Sequence, residues 1–219
     1  MMDMEDFLGI NEPPRQRPVT MTLGDLEAVS LGETRKVWVG RLPSTLSDPS
    51  KFGPLWDLHP EEFNSIAMFE KQVQLPMWQQ AFGRDYQFSG QTSEALPIPD
   101  LLSPYLEWAQ SLDKRLSKMN GLLLNWYDDD LKHYIGKHRD SEVGLVPGAP
   151  IITLSLGGTR AFRLRPWQVP GAPYVDIEVE NGAVLVIPWL TNREWTHEVP
   201  ALASRFSGRR ISITLRAFQ

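Results

Sequence analysis

Only four of the 219 residues are histidine, and two of them stand where a metal ion can use them. His138-Arg139-Asp140 sets an imidazole and a carboxylate two residues apart. In an extended segment that spacing puts both on one side of the chain, converging on one ion. His197, in the run Trp195-Thr196-His197-Glu198-Val199-Pro200, is the candidate third ligand. Two histidines and one carboxylate leave positions on iron(II) open, so that a bidentate 2-oxo acid and dioxygen can bind it together. A His-x-Asp triplet alone more often marks a surface turn or a hydrogen-bonded pair than a ligand set. The reading therefore rests on what surrounds the triplet.

A 2-oxo dicarboxylate also needs a cation, and the last strand-like run, Arg210 to Phe218, offers two. Period-two alternation puts Ile211, Ile213, Leu215 and Ala217 on one face and Arg210, Ser212, Thr214 and Arg216 on the other. Two readings stay open: a solvated polar face, as in any amphipathic strand, or a polar cavity inside a barrel. On the second, Arg210 presents a planar fork for a carboxylate. Arg216 follows about 20 Å along the strand, six residues at about 3.4 Å each, to meet the ligand from its other end. Asn125 and Tyr127 share one face of the strand leading to the triplet and can hydrogen-bond a carboxylate without adding charge. Leu122, Leu124 and Trp126 form the opposite, core face. His59 reads as a cap or surface residue and His133 as part of a polar loop.

These residues need a β-rich scaffold. Short β runs are expected over Leu122 to Tyr127, Ile151 to Leu156, Ala161 to Arg165, Tyr174 to Val179, Ala183 to Ile187 and Arg210 to Phe218. Turn pairs such as Gly157-Gly158, Pro170-Gly171 and Asn181-Gly182 separate them. Apolar residues at three- and four-residue spacing predict a helix from about Leu101 to Met119, ended by Asn120-Gly121. His59-Pro60-Glu61-Glu62 looks like a second helix start, after a front layer of short elements. Residues 11 to 18 hold three prolines and read as a linker after a loose tail, with the folded part beginning near Thr20. The pattern is mixed α+β, mainly β: a sandwich or jelly roll packed on a long helix. Composition narrows the chemistry. No cysteine means no disulfide, no thiolate ligand and no zinc finger. A net charge of −5 offers no global attraction for nucleic acid or an anionic membrane. The N-terminus lacks a signal-like run and no stretch approaches a membrane span, so a soluble, intracellular, cytoplasmic protein is expected, nuclear if the source is eukaryotic.

Taken together the motifs resemble the AlkB family of 2-oxoglutarate/iron dioxygenases over about Gln72 to Phe218. Asn125-Trp126-Tyr127 is similar to the family's Asn-x-Tyr, Ile135-Gly136-Lys137-His138-Arg139-Asp140 to its metal triplet, and Arg210 to Arg216 to its Arg-x-Asn-x-Thr-x-Arg. Pro150 to Gly157 resembles the strand after the triplet in the duplex-DNA repair members. The resemblance implies a double-stranded β-helix (jelly roll, cupin-like) with an N-terminal nucleotide-recognition lid and supporting helices. Residues 1–19 would be a flexible tail and 20–219 one domain, with the lid over about 60–95 and the catalytic core over about 120–219. It implies iron(II), 2-oxoglutarate and O2, with His138, Asp140 and His197 on the metal and Asn125, Tyr127, Arg210, Ser212 and Arg216 on the cosubstrate. Tyr86-Gln87-Phe88-Ser89-Gly90 is similar to the lid's Tyr-x-aromatic-Ser segment. Tyr86, Phe88 and Ser89 would then face substrate, with Tyr86 on the nucleotide backbone, and Glu142 would sit at the family's acidic base-recognition position.

The implied reaction is oxidative dealkylation of N-alkylated bases such as 1-methyladenine or 3-methylcytosine in DNA or RNA, by a monomer, releasing succinate, CO2 and formaldehyde. A base must be flipped out to be reached. Three departures bear on this: Ser212 replaces the usual Asn, the lid approach Gln74 to Gln80 has no cation, and the chain is acidic. Lys132, Lys137, Arg139, Arg160, Arg163 and Arg165 form either a local phosphate-binding patch or ordinary solvated charges. The rival readings are a 2-oxoglutarate-dependent hydroxylase or demethylase of a protein or small molecule, and a catalytically silent nucleic-acid binding module.

Overall fold

The structure, a computed structural model, describes residues 26–68, 71–88, 91–112, 114–201 and 208–219. The expected tail, the 11–18 linker, the start near Thr20 and Ser89 lie outside the described residues.

Two sheets enclose the interior. The larger has eight strands. They are β1 (Glu27–Leu31), β2 (Arg35–Arg41), β5 (Trp78–Phe82), β8 (Ala95–Leu96), β9 (Met119–Tyr127), β11 (Ile151–Gly157), β14 (Ala183–Ile187) and β16 (Arg210–Ala217), in the order β1-β2-β14-β11-β16-β9-β5-β8. The smaller joins β10 (Ile135–His138), β15 (Trp195–Val199), β12 (Arg160–Pro166) and β13 (Val175–Val179). Two hairpins stand apart, β3 (Ser65–Met68) with β4 (Lys71–Gln74), and β6 (Tyr86–Phe88) with β7 (Gln91–Ser93). Almost all pairings are antiparallel; β5 with β8 is parallel.

The side-chain period of two explains the layering. On the outer face of the large sheet Leu122, Leu124, Trp126, Ile152, Leu154, Val184, Val186, Ile211, Ile213 and Leu215 pack with α1 (Ser44–Ser47), α2 (Phe52–Trp56) and α3 (Ser103–Ser111), through Leu46, Leu55, Trp56, Tyr105 and Ala109. On the inner face Val37, Tyr127, Ile151, Leu185 and Ile187 meet Ile135, Phe162, Leu164, Val179 and Val199 of the small sheet. Both faces of the central strands are covered, so all eight residues of β16 are buried. The solvated-face reading of that strand is thereby overturned: the polar face looks into the space between the sheets.

Two expectations fail. The helix predicted to Met119 ends at Ser111; a 3-10 turn over Lys114–Lys118 follows, and β9 already begins at Met119. Leu116 and Met119 keep the apolar spacing because they are buried in the outer core, not because they are helical. Gly121 does not stop a helix. It pairs with Arg216, and a β-carbon there would lie 2.5 Å from the Phe218 ring, so glycine permits a close approach. The second failure is at His59-Pro60, which starts no helix: the His59 ring stacks on Trp78 at 4.3 Å, and aromatic packing replaces the expected cap. Among the described residues no helix is long and apolar enough to cross a membrane.

Candidate active site

Each proposed ligand comes from the small sheet or its edge. His138 ends β10 and His197 sits in β15, where the two are direct partners across the ladder. Asp140 follows two residues after His138. The His138 and His197 Nε2 atoms lie 3.9 and 3.6 Å from Asp140 Oδ1, and the rings are 4.4 Å apart. Among the described residues this trio is one of two clusters whose ligand atoms all fall within 4.8 Å; Asp128, Asp129 and Asp130 form the other. Phe162 stacks on the His197 ring at 5.2 Å.

The surroundings hold the trio in a ligating form. His138 Nδ1 lies 2.8 Å from the Gly136 carbonyl, which fixes the proton on Nδ1 and turns the Nε2 lone pair toward Asp140. Burial and the neighbouring His197 push the His138 ring down to about 4, against the opposing pull of Asp140; the ring is neutral at physiological pH. Arg216 donates Nε and Nη2 to Asp140 Oδ2 at 3.1 and 2.6 Å. That cation, with the two histidines, outweighs desolvation and keeps the carboxylate ionised. The Tyr86 hydroxyl donates to Asp140 Oδ1 at 3.2 Å. Asn192, in α4 (Trp189–Glu194), clamps the Asp140 backbone: its Oδ1 accepts from the Asp140 N–H and its Nδ2 donates to the Asp140 carbonyl, both at 3.1 Å.

The inner face of the large sheet faces the trio. Ladder register lines up Ser155, Ser212, Asn125 and Gln79 in one row across four strands, and Thr153 and Thr214 in the next. Gln79 Nε2 donates to Asn125 Oδ1 at 2.8 Å, so the Asn125 amide N–H2 group is turned free. These side chains, apart from Ser155, line one cavity with Tyr86, Tyr127, Phe162, His138, Asp140, His197 and Arg216. Arg210 lies at the far end of the strand, 0% exposed. Its Nε donates to Ser155 Oγ at 2.8 Å while Nη1 and Nη2 have no acceptor. Burial pulls it down to about 10, still cationic, with Tyr127 opposing the shift. A second chamber of about 320 Å³ adjoins, lined by Asn64, Gln80, Gln91, Thr92, Ser93 and Glu94 among others, and shares Gln79 and Tyr86 with the first.

The expected metal residues, with Asn125, Tyr127, Ser212 and Arg216, thus line one space, Arg216 already engaged on Asp140, while Arg210 lies beyond its lining. The expected substrate residues are not all so placed. The Tyr86 hydroxyl is buried on Asp140. Glu142 faces Arg193 at 3.5 Å and does not line the cavity. Phe88 is in β6, with only its backbone described. Of the six cations read either as a phosphate-binding patch or as solvated charges, four are enclosed or engaged. Arg160 is buried, Arg163 pairs with Asp176, Arg165 with Glu198, and Arg139 stacks on Trp167. His133 lies in a loop as read, but is buried there; its Nδ1 accepts from the Asp128 N–H at 3.1 Å, and desolvation lowers its proton affinity. Gln79, Asn192, Thr153, Ser155 and Phe162 escaped the sequence reading. Alternation in Thr153-Leu154-Ser155 with Ile152 and Leu156 carried a signal for two of them; nothing local marked Asn192.

Two mainly antiparallel sheets closed around a two-histidine, one-carboxylate cluster define a class. Residues 56–216 match the 2OG-Fe(II) oxygenase superfamily, and the chain belongs to it. The superfamily's metal and cosubstrates are iron(II), 2-oxoglutarate and O2. Within it the chain is AlkB-like. It is 29% identical over 160 residues to the DNA oxidative demethylase ALKBH2 of Mus musculus, covering 69% of this chain and 65% of that protein. It is 33% identical over 104 residues to the alpha-ketoglutarate-dependent dioxygenase alkB homolog 3 of Rattus norvegicus, covering 44% and 35%. The solved structure of OsALKBH1 superposes with a TM-score of 0.58 at 15% identity, over 88% of this chain and 99% of that one, a likeness of fold. The chain spans less than two thirds of the length of these ALKBH2 and alkB homolog 3 relatives.

Proposed function

We propose that this chain is a 2-oxoglutarate- and iron(II)-dependent dioxygenase that oxidatively dealkylates N-alkylated bases such as 1-methyladenine or 3-methylcytosine in DNA or RNA. One observation carries the reading: a cavity with a His-Asp-His cluster on one wall and, beyond the other end of its polar row, a buried guanidinium whose Nη1 and Nη2 have no acceptor. The residues fit the group. Two imidazole Nε2 atoms and one ionised carboxylate suit iron(II), and the unpaired Nη1 and Nη2 of Arg210 suit a carboxylate.

In this reading His138, Asp140 and His197 hold the iron, and Arg210, Tyr127, Asn125 and Ser212 hold the cosubstrate. When bound, iron(II) with 2-oxoglutarate and O2 supplies the oxidising power to hydroxylate a carbon attached to nitrogen, whose product loses formaldehyde. The protein's share is positional. Asn192 and Arg216 fix the Asp140 backbone and side chain, Gly136 fixes the His138 tautomer, and Gln79 orients Asn125. Residues 60–95 act as the lid, with the two hairpins β3–β4 and β6–β7 beside the wide chamber, and residues 120–219 as the catalytic core. Phe88 and Ser89 belong to that lid segment. Tyr86 acts from inside it: a hydroxyl buried on Asp140 positions the metal ligand, in place of the expected contact to a phosphate. Glu142, tied to Arg193 at the rim, reads an incoming base only after releasing it.

The wide chamber is lined by amides and hydroxyls with one acid and, among its described lining residues, no lysine or arginine. Such a lining suits the hydrogen-bonding edge of a base. It also sustains the rival reading, a protein or small-molecule substrate, since the pairing of Arg163 and Arg165 with acids leaves those two cations less available to phosphates. The deciding experiment loads the purified chain with iron(II) and 2-oxoglutarate without oxygen. Oxygen and short methylated DNA or RNA are then added, and succinate and base are followed by mass spectrometry. Succinate with loss of the methyl group is the expected result. Succinate without demethylation would move the search to proteins and small molecules, and no succinate would sink the enzyme reading.

A further inference from the structure

Two arginines are buried at the same end of the polar face, and only Arg210 belongs to the strand that carries the cosubstrate motif. The other is Arg160, the first residue of β12, three residues beyond the Gly157 that pairs with Arg210. It is 1% exposed. Its Nη1 reaches the His133 carbonyl only at 3.4 Å, and its Nε and Nη2 have no acceptor. Arg210 Nη1 and Nη2 are in the same condition. Tyr127 links the two charges: the Arg210 guanidinium lies 5.2 Å from its ring, the phenol acts electrostatically on both arginines, and Arg160 disfavours the charge on Arg210.

Among the described residues no carboxylate lies within ion-pair distance of either arginine. Asp128 and Asp129, on the loop after β9, favour the charge on Arg160 from a distance, but their hydrogen bonds go elsewhere, Asp128 accepting from Arg209 Nε and Asp129 from the Gly208 N–H. Two buried guanidiniums within each other's field, with four donor nitrogens unused, two from each, form a costly arrangement unless an anion completes it. Their planar forks suit one carboxylate received from two sides.

We infer that Arg160 is a second guanidinium of the subsite for the cosubstrate's distal carboxylate, acting beside Arg210 to select a 2-oxo dicarboxylate over a 2-oxo monocarboxylate. This rests on the proposed reading that the cavity takes 2-oxoglutarate. Arg160 touches no part of the metal cluster, so it sets selectivity and position and leaves the metal's own grip on the 2-oxo acid unchanged.

The test measures binding, not turnover. The full chain is loaded with redox-inert Mn(II), and Kd is determined calorimetrically for 2-oxoglutarate and for 2-oxopentanoate, which has the same carbon chain but a methyl group in place of the distal carboxylate. For Arg160→Met, affinity for 2-oxoglutarate should fall about 10- to 100-fold, the loss of a charge-assisted bond, while that for 2-oxopentanoate stays within about twofold. Arg160→Lys keeps the charge without the fork and should retain part of the preference. It also secures the test if the methionine variant does not fold. A purely structural Arg160 would weaken both ligands equally. If a folded variant keeps the wild-type ratio, the role of Arg160 is refuted and the cosubstrate reading stands. If the wild-type protein does not prefer 2-oxoglutarate, both fall.

Discussion

Asn192→Ala removes the two hydrogen bonds that hold the Asp140 backbone, each 3.1 Å long and both fully shielded from water. Two neutral buried bonds contribute about 1 kcal/mol each, and the Asp140 N–H and carbonyl left behind add desolvation cost. A loss of about 2–4 kcal/mol is expected, which for a chain of this size lowers Tm by about 5–15 °C. The ligand carboxylate is also released from one of its supports while Arg216 still holds Oδ2. Loss of such outer support weakens metal binding by about 10- to 100-fold. Thermal unfolding of the metal-free variant gives the first quantity and Mn(II) titration the second. A variant that loses stability but binds Mn(II) as tightly as wild type would refute the argument that Asn192 positions the ligand.

Arg216→Met leaves Asp140 as a buried, uncompensated charge, and breaking such a pair costs about 3–5 kcal/mol. Thermal unfolding should show that loss in metal-free protein and a larger rescue by Mn(II) than in wild type, because the ion supplies the missing positive charge; an unchanged Tm would reject the pair. His138 sets a pH dependence. Its folded proton affinity lies at about 4 and its unfolded value near 6.5. The unfolded chain therefore takes up a proton that the folded one refuses, and stability is full above pH 6.5 and falls as pH drops toward 4. Metal-free wild type should lose Tm between pH 7 and pH 5 faster than His138→Gln, and parallel curves would exclude His138 as the cause. Gln79→Leu frees the Asn125 amide and should weaken 2-oxoglutarate binding about 5- to 10-fold, the value of one hydrogen bond, with Mn(II) affinity unchanged; equal cosubstrate affinity would remove Gln79 from the site.

Much of the site was legible in the chain because β structure writes its geometry into alternate residues. Arg210, Ser212, Thr214 and Arg216 share a face by covalent geometry alone, as do Asn125 and Tyr127, and six residues of strand separate the two arginines whatever they pack against. The spacing of His138 and Asp140 likewise makes them neighbours in any extended backbone. The scarcity of histidine and absence of cysteine limited the ligands further.

What remained hidden depended on pairings between segments far apart in sequence. Whether the polar face of β16 met water or a cavity was decided only when the small sheet covered it. Asn192 meets Asp140 across 52 residues and Gln79 meets Asn125 across 46, and no local pattern encodes such contacts. The cationic residues near the triplet looked like a patch because charge is visible in sequence and its partner is not: Asp176 and Glu198 reach Arg163 and Arg165 only through the strand register of the small sheet. The helix read through to Met119 failed for a related reason. Leu116 and Met119 keep helical spacing from the preceding turns and are buried with them, yet the chain passes through a 3-10 turn at Lys114–Lys118 and enters β9 at Met119. Local stereochemistry determined which groups could act together; long-range packing decided which of them were dry, charged and held in place.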